Sequence, residues 1–425
     1  MAPPALLTRG SSGQRRSVFR AIASIVFFAL CLLGATTASR TGRGRFLANT
    51  AGRSLMAAEA DRAVQLSPAD PETHAARAVV LYESEDLPGA TAELERAVVS
   101  RPQDYLLWLQ LGRARDEAKD LPRALAALQE AVRLAPFYAD PRWQYGNVLY
   151  RAGQFPEAFR AMAIAARSDP SLAPVLMDLV WGTYPGDPKA LTEIVAADSD
   201  ARRLSLARFL VKKGSISEAL SLFRAAGHGG QEERKKLLAD LMQAKQFRAA
   251  REVWLAGQDH ESAGAITNPG FEDAFDLNTK AFSWYQEHQV ATIALSLNNS
   301  QHHSGSRSLQ VEWNGHDAPG FPVLAQIVAV ESSSRYQLSF FVRTESVVTG
   351  GLPVIVVSDG NGQQRTLVES KPFPQGSSDW QEYRVEFETP AQTEAVVITL
   401  QRQDCPAPCP MFGRVWLDDF GLRKL

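Results

Sequence analysis

Pro68, Pro102, Pro136 and Pro170 recur at intervals of 34 residues, and alanines keep the same step at Ala63, Ala97, Ala131 and Ala165 and again at Ala90, Ala124 and Ala158. The dipeptides Leu87-Pro88, Leu121-Pro122 and Phe155-Pro156 repeat in register with them. A period of this length belongs to stacked supersecondary units, none of which can bury its apolar face alone. Proline lacks a backbone N–H and stops a helix, while alanine lets two backbones approach. The pattern therefore predicts pairs of antiparallel helices, each pair closed by a ladder proline.

In the clearest repeat, Trp108, Leu111 and Gly112 fall in a first helix, Ala124, Leu128 and Ala131 line a second, and Pro136 closes it. Gly146 repeats Gly112, and Asp70-Pro71 and Asp140-Pro141 read as turns that open repeats. These residues resemble the tetratricopeptide repeat, which implies a concave groove that holds a protein partner. Leu210, Ile216, Ala219 and Phe223 match Leu241, Phe247, Ala250 and Trp254 at a step of 31 and read as degenerate repeats. Residues 171–198, with Pro174, Pro185 and Pro188, fit a divergent pair that the spacing does not phase. The expected solenoid covers residues 54–257 as five or six helix pairs, beyond the three or so needed for a continuous core.

With 425 residues, 45% of them hydrophobic, and a net charge of −2, the chain reads as two or three ordinary globular domains with no basic field to attract nucleic acid. Arg9, Arg15, Arg16 and Arg20 sit in a basic tail, residues 1–20, and Arg15-Arg16 reads as a basic n-region. An uncharged stretch follows over residues 21–39, including Ile25, Phe27, Phe28, Leu32 and Leu33. As a helix it would reach about 28 Å, close to a hydrocarbon core. A membrane anchor is the first reading. The alternative is a secreted chain whose signal is cleaved near Ala35-Thr36-Thr37-Ala38. Arginines balance on the two sides of the span, so charge does not orient it. A short tail ahead of a large body places the body outside the cytoplasm. Cys405 and Cys409, with no histidine nearby for zinc, read as a disulfide of an oxidising compartment or as two reduced thiols in a loop. Cys31 lies in the apolar stretch.

After residue 264 the period falls to two: Tyr336, Leu338, Phe340 and Val342 alternate, as do Tyr383, Val385 and Phe387, and Val396, Ile398 and Leu400. Asp359-Gly360-Asn361-Gly362 follows an apolar run as a hairpin turn. The fold class is thus an N-terminal membrane helix, an α-α solenoid and a C-terminal antiparallel β-sandwich of jelly-roll type, residues 266–425.

Three motifs stand at the start, middle and end of this half: Asn268-Pro269-Gly270-Phe271-Glu272, Ser304-Gly305-Ser306-Arg307-Ser308-Leu309 and Val415-Trp416-Leu417-Asp418-Asp419-Phe420. Their order resembles carbohydrate-binding modules of families four, nine and twenty-two. The resemblance implies a structural calcium ion at Glu272 and Asp418, with backbone oxygens from residues 304–307. Alternatively the two are edge carboxylates with hydrogen-bonded partners. It also implies a sugar site, for which strand parity nominates Phe341, Arg343 and Gln401, all facing away from the core set. Trp284 is a candidate stacking platform on a loop, whereas Trp313 and Trp416 read as packing residues, and Trp380, with outward parity at the start of its strand, is open to either role.

No zinc-protease, nucleophile-elbow or phosphate-loop motif is present. His302-His303 reads as a solvated turn, and Asp418-Asp419 point to opposite sides of a strand, against paired glycosidase acids. The expectation is a non-enzymatic adaptor that binds protein through its repeats and glycan through its jelly roll, in assembly or export of a cell-surface polysaccharide. The alternatives are a protein-only scaffold and a glycoside-acting enzyme.

Overall fold

The computed structural model describes residues 12–227, 230–257, 265–274, 277, 280–286, 291–316, 322–362 and 365–425. It divides into two compact units, Met1–Ala196 and Ala197–Leu425.

Among the described residues the first unit is built of the helices α1 (Ser12–Ser54), α2 (Ala57–Leu66), α3 (Pro71–Glu83), α4 (Leu87–Ser100), α5 (Tyr105–Glu117), α6 (Leu121–Leu134), α7 (Ala139–Arg151), α8 (Phe155–Ser168), α9 (Ala173–Thr183) and α10 (Pro188–Val195). Aspartates set several starts, because the side chains of Asp70, Asp86, Asp104 and Asp120 accept from the free N–H groups of the first turn. Asp140, expected in an opening turn, instead lies inside α7, where its carboxylate accepts from Arg113 Nη2 at 2.7 Å. The ladder prolines follow the second helix of each pair, and their carbonyls have a further role. Pro68, Pro102 and Pro136 accept from the residue six positions on, His74 Nε2 at 2.8 Å, Trp108 Nε1 at 2.9 Å and Arg142 Nε at 3.0 Å. Three different side chains thus tie successive repeats at one register. The prolines that break the period at 174 and 188 start α9 and α10.

α1 is longer than the apolar stretch that nucleates it. It runs without a break past residue 39, and its second half packs on α2 and α3, with Ala48 and Ala51 buried and Arg45 Nε donating to Asp70 at 2.7 Å. Gly44 faces α2 so closely that a Cβ there would lie 3.1 Å from Ser67 Cβ and 3.4 Å from the Ala63 carbonyl. Gly112 comes as close to Ala124 O and Leu128, and Gly146 to Ala158 O and Met162; Gly44 and Ala78 keep the 34-residue step of this small-residue rung, although Gly44 meets its partner helix two turns further along, at Ala63 and Ser67. The first helix pair therefore begins inside α1, ahead of the expected start near residue 54.

The second unit joins α11 (Asp200–Lys212), α12 (Ile216–Ala225), α13 (Gln231–Gln243) and α14 (Phe247–Leu255) to nine strands among the described residues. These are β1 (Ile293–Asn298), β2 (Ser308–His316), β3 (Leu324–Ala329), β4 (Arg335–Thr349), β5 (Pro353–Asp359), β6 (Thr366–Glu369), β7 (Gly376–Glu388), β8 (Ala395–Arg402) and β9 (Pro410–Lys424). They form a five-stranded sheet, β1-β2-β9-β4-β7, and a four-stranded sheet, β3-β8-β5-β6. Pairings between successive strands in each sheet are antiparallel. Leu309, Val311, Trp313, Leu338, Phe340 and Val342 from one sheet meet Ile355, Val357, Val396, Ile398 and Leu400 from the other.

The second degenerate helix pair, α13–α14, packs on this sandwich, and α11 packs on α13. Trp254 packs 5.8 Å from Phe282, Arg251 donates to the Ala265 carbonyl at 3.0 Å, and α14 lies against β3. The left-handed residue in the α13–α14 turn, Lys245 at φ 56°, extends its ammonium to the carbonyls of Asn361 and Gly362 in the β5–β6 hairpin turn at 3.0 and 3.4 Å. The Asn361 amide returns a bond to the Lys245 carbonyl at 3.2 Å.

Candidate functional site

The four-stranded sheet has two covered faces. Its inner face carries the shared core, while Ala325, Ile327, Val354, Val356 and Thr399, which point outward, are also buried. This explains the near-continuous apolar run in β5, since alternation is lost when both faces of a strand are covered. Over this outer face a cavity of about 600 Å³ lies between the sheet and the α13–α14 pair, within the range of small-ligand sites. The sheet lines it with Ile327, Ser358, Thr366, Val397, Thr399 and Gln401. The helices and their turn add Met242, Gln243, Lys245 and Phe247, and Lys280 and Tyr285 also line it. Tyr285 pairs with Ala325 in an isolated antiparallel bridge that extends the edge of β3, and Lys280 Nζ lies 5.3 Å from the Tyr285 ring centre. The mixture suits a polyhydroxyl ligand, with amides and hydroxyls for hydrogen bonds and aromatic and aliphatic surface for ring faces.

Of the four residues nominated for sugar, Gln401 is in this cavity. Phe341 and Arg343 are on β4, in the opposite sheet, so they share no face with it. The Phe341 ring is stacked 3.6 Å from the imidazole of His303, and Trp380 meets the same imidazole edge-on at 5.8 Å. Arg343 Nη1 donates to Asp379 at 2.5 Å. Trp284 is no platform, because it is 1% exposed, packs on Phe271 and Phe420, and donates its Nε1–H to the Asn268 carbonyl at 3.1 Å. His303 is not merely a solvated turn residue, since its Nδ1 lies 2.6 Å from Asp419.

Glu272 and Asp418 grip one loop from its two ends. Glu272 accepts from the N–H groups of Ser306 and Arg307 at 2.9 and 3.1 Å and from Ser306 Oγ at 2.6 Å, and these bonds hold its carboxyl below the ordinary glutamate range. Asp418 accepts from the N–H groups of His303 and Ser304 at 2.8 and 3.3 Å, yet burial keeps its carboxyl above the ordinary aspartate range. Gly305, at φ 60°, turns the loop where a Cβ would strike the Glu272 carboxylate at 2.1 Å. Calcium takes six to eight oxygens. Here the carboxylate lone pairs face N–H and O–H donors, and among the described residues no group of three or more His, Cys, Asp or Glu is placed to hold a metal. The two carboxylates thus form a hydrogen-bonded clasp on the loop.

Cys405 and Cys409 are joined as a disulfide. Buried Arg402 packs against it, its Nη2 reaching Cys409 Sγ and the Cys409 carbonyl, each at 3.0 Å, and Thr349 Oγ1 at 2.8 Å.

Residues 263–408 match a carbohydrate binding domain. The matched region holds Glu272, Phe341, Arg343 and Gln401 and ends before Asp418. A solved structure of a family-four carbohydrate-binding module is similar to this chain at 13% identity, covering 38% of it and 99% of that module, with a TM-score of 0.28. Towards the tetratricopeptide side, PilF of Pseudomonas aeruginosa is similar at 19% identity, covering 48% and 99% of the two chains, with a TM-score of 0.33. YrrB, a tetratricopeptide repeat protein with an unusual peptide-binding site, is similar at 18% identity, covering 51% and 90%, with a TM-score of 0.29. The chain matches none of the curated proteins.

The helical wall of the groove, Gln243, Lys245 and Phe247, lies outside the matched region and carries no binding motif in the sequence. The signal lay in the unbroken apolar pattern of β5, which calls for a second covering layer.

Proposed function

We propose that this protein is a non-catalytic adaptor that binds saccharide in the groove between β3-β8-β5-β6 and α13–α14 and binds protein along its repeats. The cavity over the outer face of the four-stranded sheet carries the reading, supported by the family match over residues 263–408. The protein-binding half is supported by the tetratricopeptide pattern and by exposed apolar surface on the first unit. There Phe137 is 87% and Tyr138 59% exposed, and the Tyr138 ring lies 5.2 Å from that of Tyr105. The apolar α1 helix and the disulfide support a body held at a membrane on the oxidising side, or secreted there after cleavage. In that setting the protein would act in assembly or export of a cell-surface polysaccharide. Calcium enters this proposal only as an ion that would replace N–H contacts at Glu272 and Asp418.

The test is binding of the full chain to a panel of polysaccharides, with added calcium and with chelator. Gln401→Ala and Phe341→Ala report on the two faces. Loss of binding in Gln401→Ala with retention in Phe341→Ala supports the groove; the reverse pattern moves the site to the five-stranded sheet. A folded protein that binds no saccharide leaves the protein-only scaffold.

A further inference from the structure

Most arginines of the first unit are spoken for. Arg77, Arg96, Arg101, Arg113, Arg115, Arg123, Arg133, Arg151 and Arg160 all make ion pairs, and Arg45 is held by Asp70. Arg40, Arg43 and Arg62 contrast with them: no ion pair is formed by any of the three among the described residues. Arg40 and Arg43 are also the first arginines after the apolar stretch.

Arg40 and Arg43 follow Ser39 by one and four residues on the continuous helix α1, about 2 and 6 Å along its axis. α2 folds back against α1 and brings Arg62 beside Arg43, where both line a shallow groove of about 370 Å³ with Gly42, Phe46 and Leu47. Phe46 is 71% exposed. An exposed aromatic ring beside uncompensated guanidinium groups, one turn or two beyond a hydrophobic span, matches the chemistry of the lipid headgroup layer. Guanidinium forks bind phosphate oxygens in two-point contacts. Arg53 is also without an ion pair, but it lies about 21 Å along the axis from Ser39, beyond the screening length at physiological salt.

We propose that Arg40, Arg43 and Arg62, with Phe46, form a collar that binds the phosphate headgroups of anionic lipids. It rests on α1 being embedded in the bilayer. The collar fixes the depth of the first repeat at the membrane surface.

The experiment uses the full chain in detergent micelles given equal phosphatidylglycerol and phosphatidylcholine, with retained lipid counted by native mass spectrometry. Flotation with vesicles of either lipid is run in parallel. Preferential retention of phosphatidylglycerol is expected, falling by about fivefold for each arginine removed and so about 25-fold in Arg43→Gln with Arg62→Gln. Arg53→Gln should keep the wild-type preference. Equal retention of the two lipids by the wild type, an unchanged preference in the double variant, or displacement of the lipid by soluble glycerol phosphate would each overturn the collar. A chain that floats with neither vesicle refutes the membrane reading on which the collar stands, an outcome separate from floating without lipid preference.

Discussion

The small-residue rung gives the sharpest test of how the repeats pack. Gly→Ala in an exposed helix interior stabilises by about 1 kcal/mol, because alanine has less backbone entropy to lose. Gly42 shows that case, since a Cβ there meets nothing within 4 Å. At Gly112 the same methyl would lie 2.5 Å from Leu128 Cγ and 2.7 Å from its Cδ2, with the Ala124 carbonyl at 3.4 Å. Leu128 is fully buried and its Cγ is near the backbone, so it cannot swing aside freely. Overpacking of this kind costs about 1–3 kcal/mol. The propensity gain is common to both sites, so Gly112→Ala should be less stable than Gly42→Ala by the overpacking cost alone, about 1–3 kcal/mol. Gly44→Ala should fall between them, its closest neighbour being Ser67 Cβ at 3.1 Å. Urea unfolding of the full chain in micelles, followed by the helical circular-dichroism signal, ranks the three by midpoint. Equal stabilisation by Gly42→Ala and Gly112→Ala would show that the two helices of that repeat are not in close contact, and the rung would lose its meaning.

Two more perturbations address the sandwich. Replacing Cys405 and Cys409 by serine should cost about 2 kcal/mol on the chain-entropy estimate for so short a ring, read as a lower urea midpoint. Glu272, whose carboxyl is held low chiefly by Ser306, contributes stability above its unfolded value that is lost as pH falls through its folded one. Asp418, raised chiefly by burial, has the opposite sign: stability declines as pH rises through its folded value. Glu272→Gln should therefore flatten the acid limb of a melting-temperature profile, and an unchanged limb would remove the clasp from the account.

Periodic features were legible because each repeat restates them. The ladder prolines, the alanines and the strand parities of Phe340, Ile398 and Leu400 all reappear in the structure where their spacing places them. Gly44 keeps the same step, but its helix is continuous with the apolar stretch and meets α2 near Ala63 and Ser67, a shift that the period does not record. Site residues were harder for a topological reason. Phe341, Arg343 and Gln401 share one parity, facing away from the core, but a sandwich has two outsides, and alternation within a strand does not say which sheet the strand joins. Trp284 lies in a segment without regular alternation, so no parity marked it as buried. The stack of His303 on Phe341 depends on the path of a loop, which Glu272, Asp418 and Asp419 set from distant parts of the chain.

Because α1 passes from the apolar stretch into the first repeat as one helix, no swivel separates the two. When the stretch is held in a bilayer, a thinner membrane makes it lean, and the repeats lean with it. Bilayer thickness then becomes an angle, and the direction in which the first unit presents Phe137 and Tyr138 is set by the lipid around a helix that never touches them.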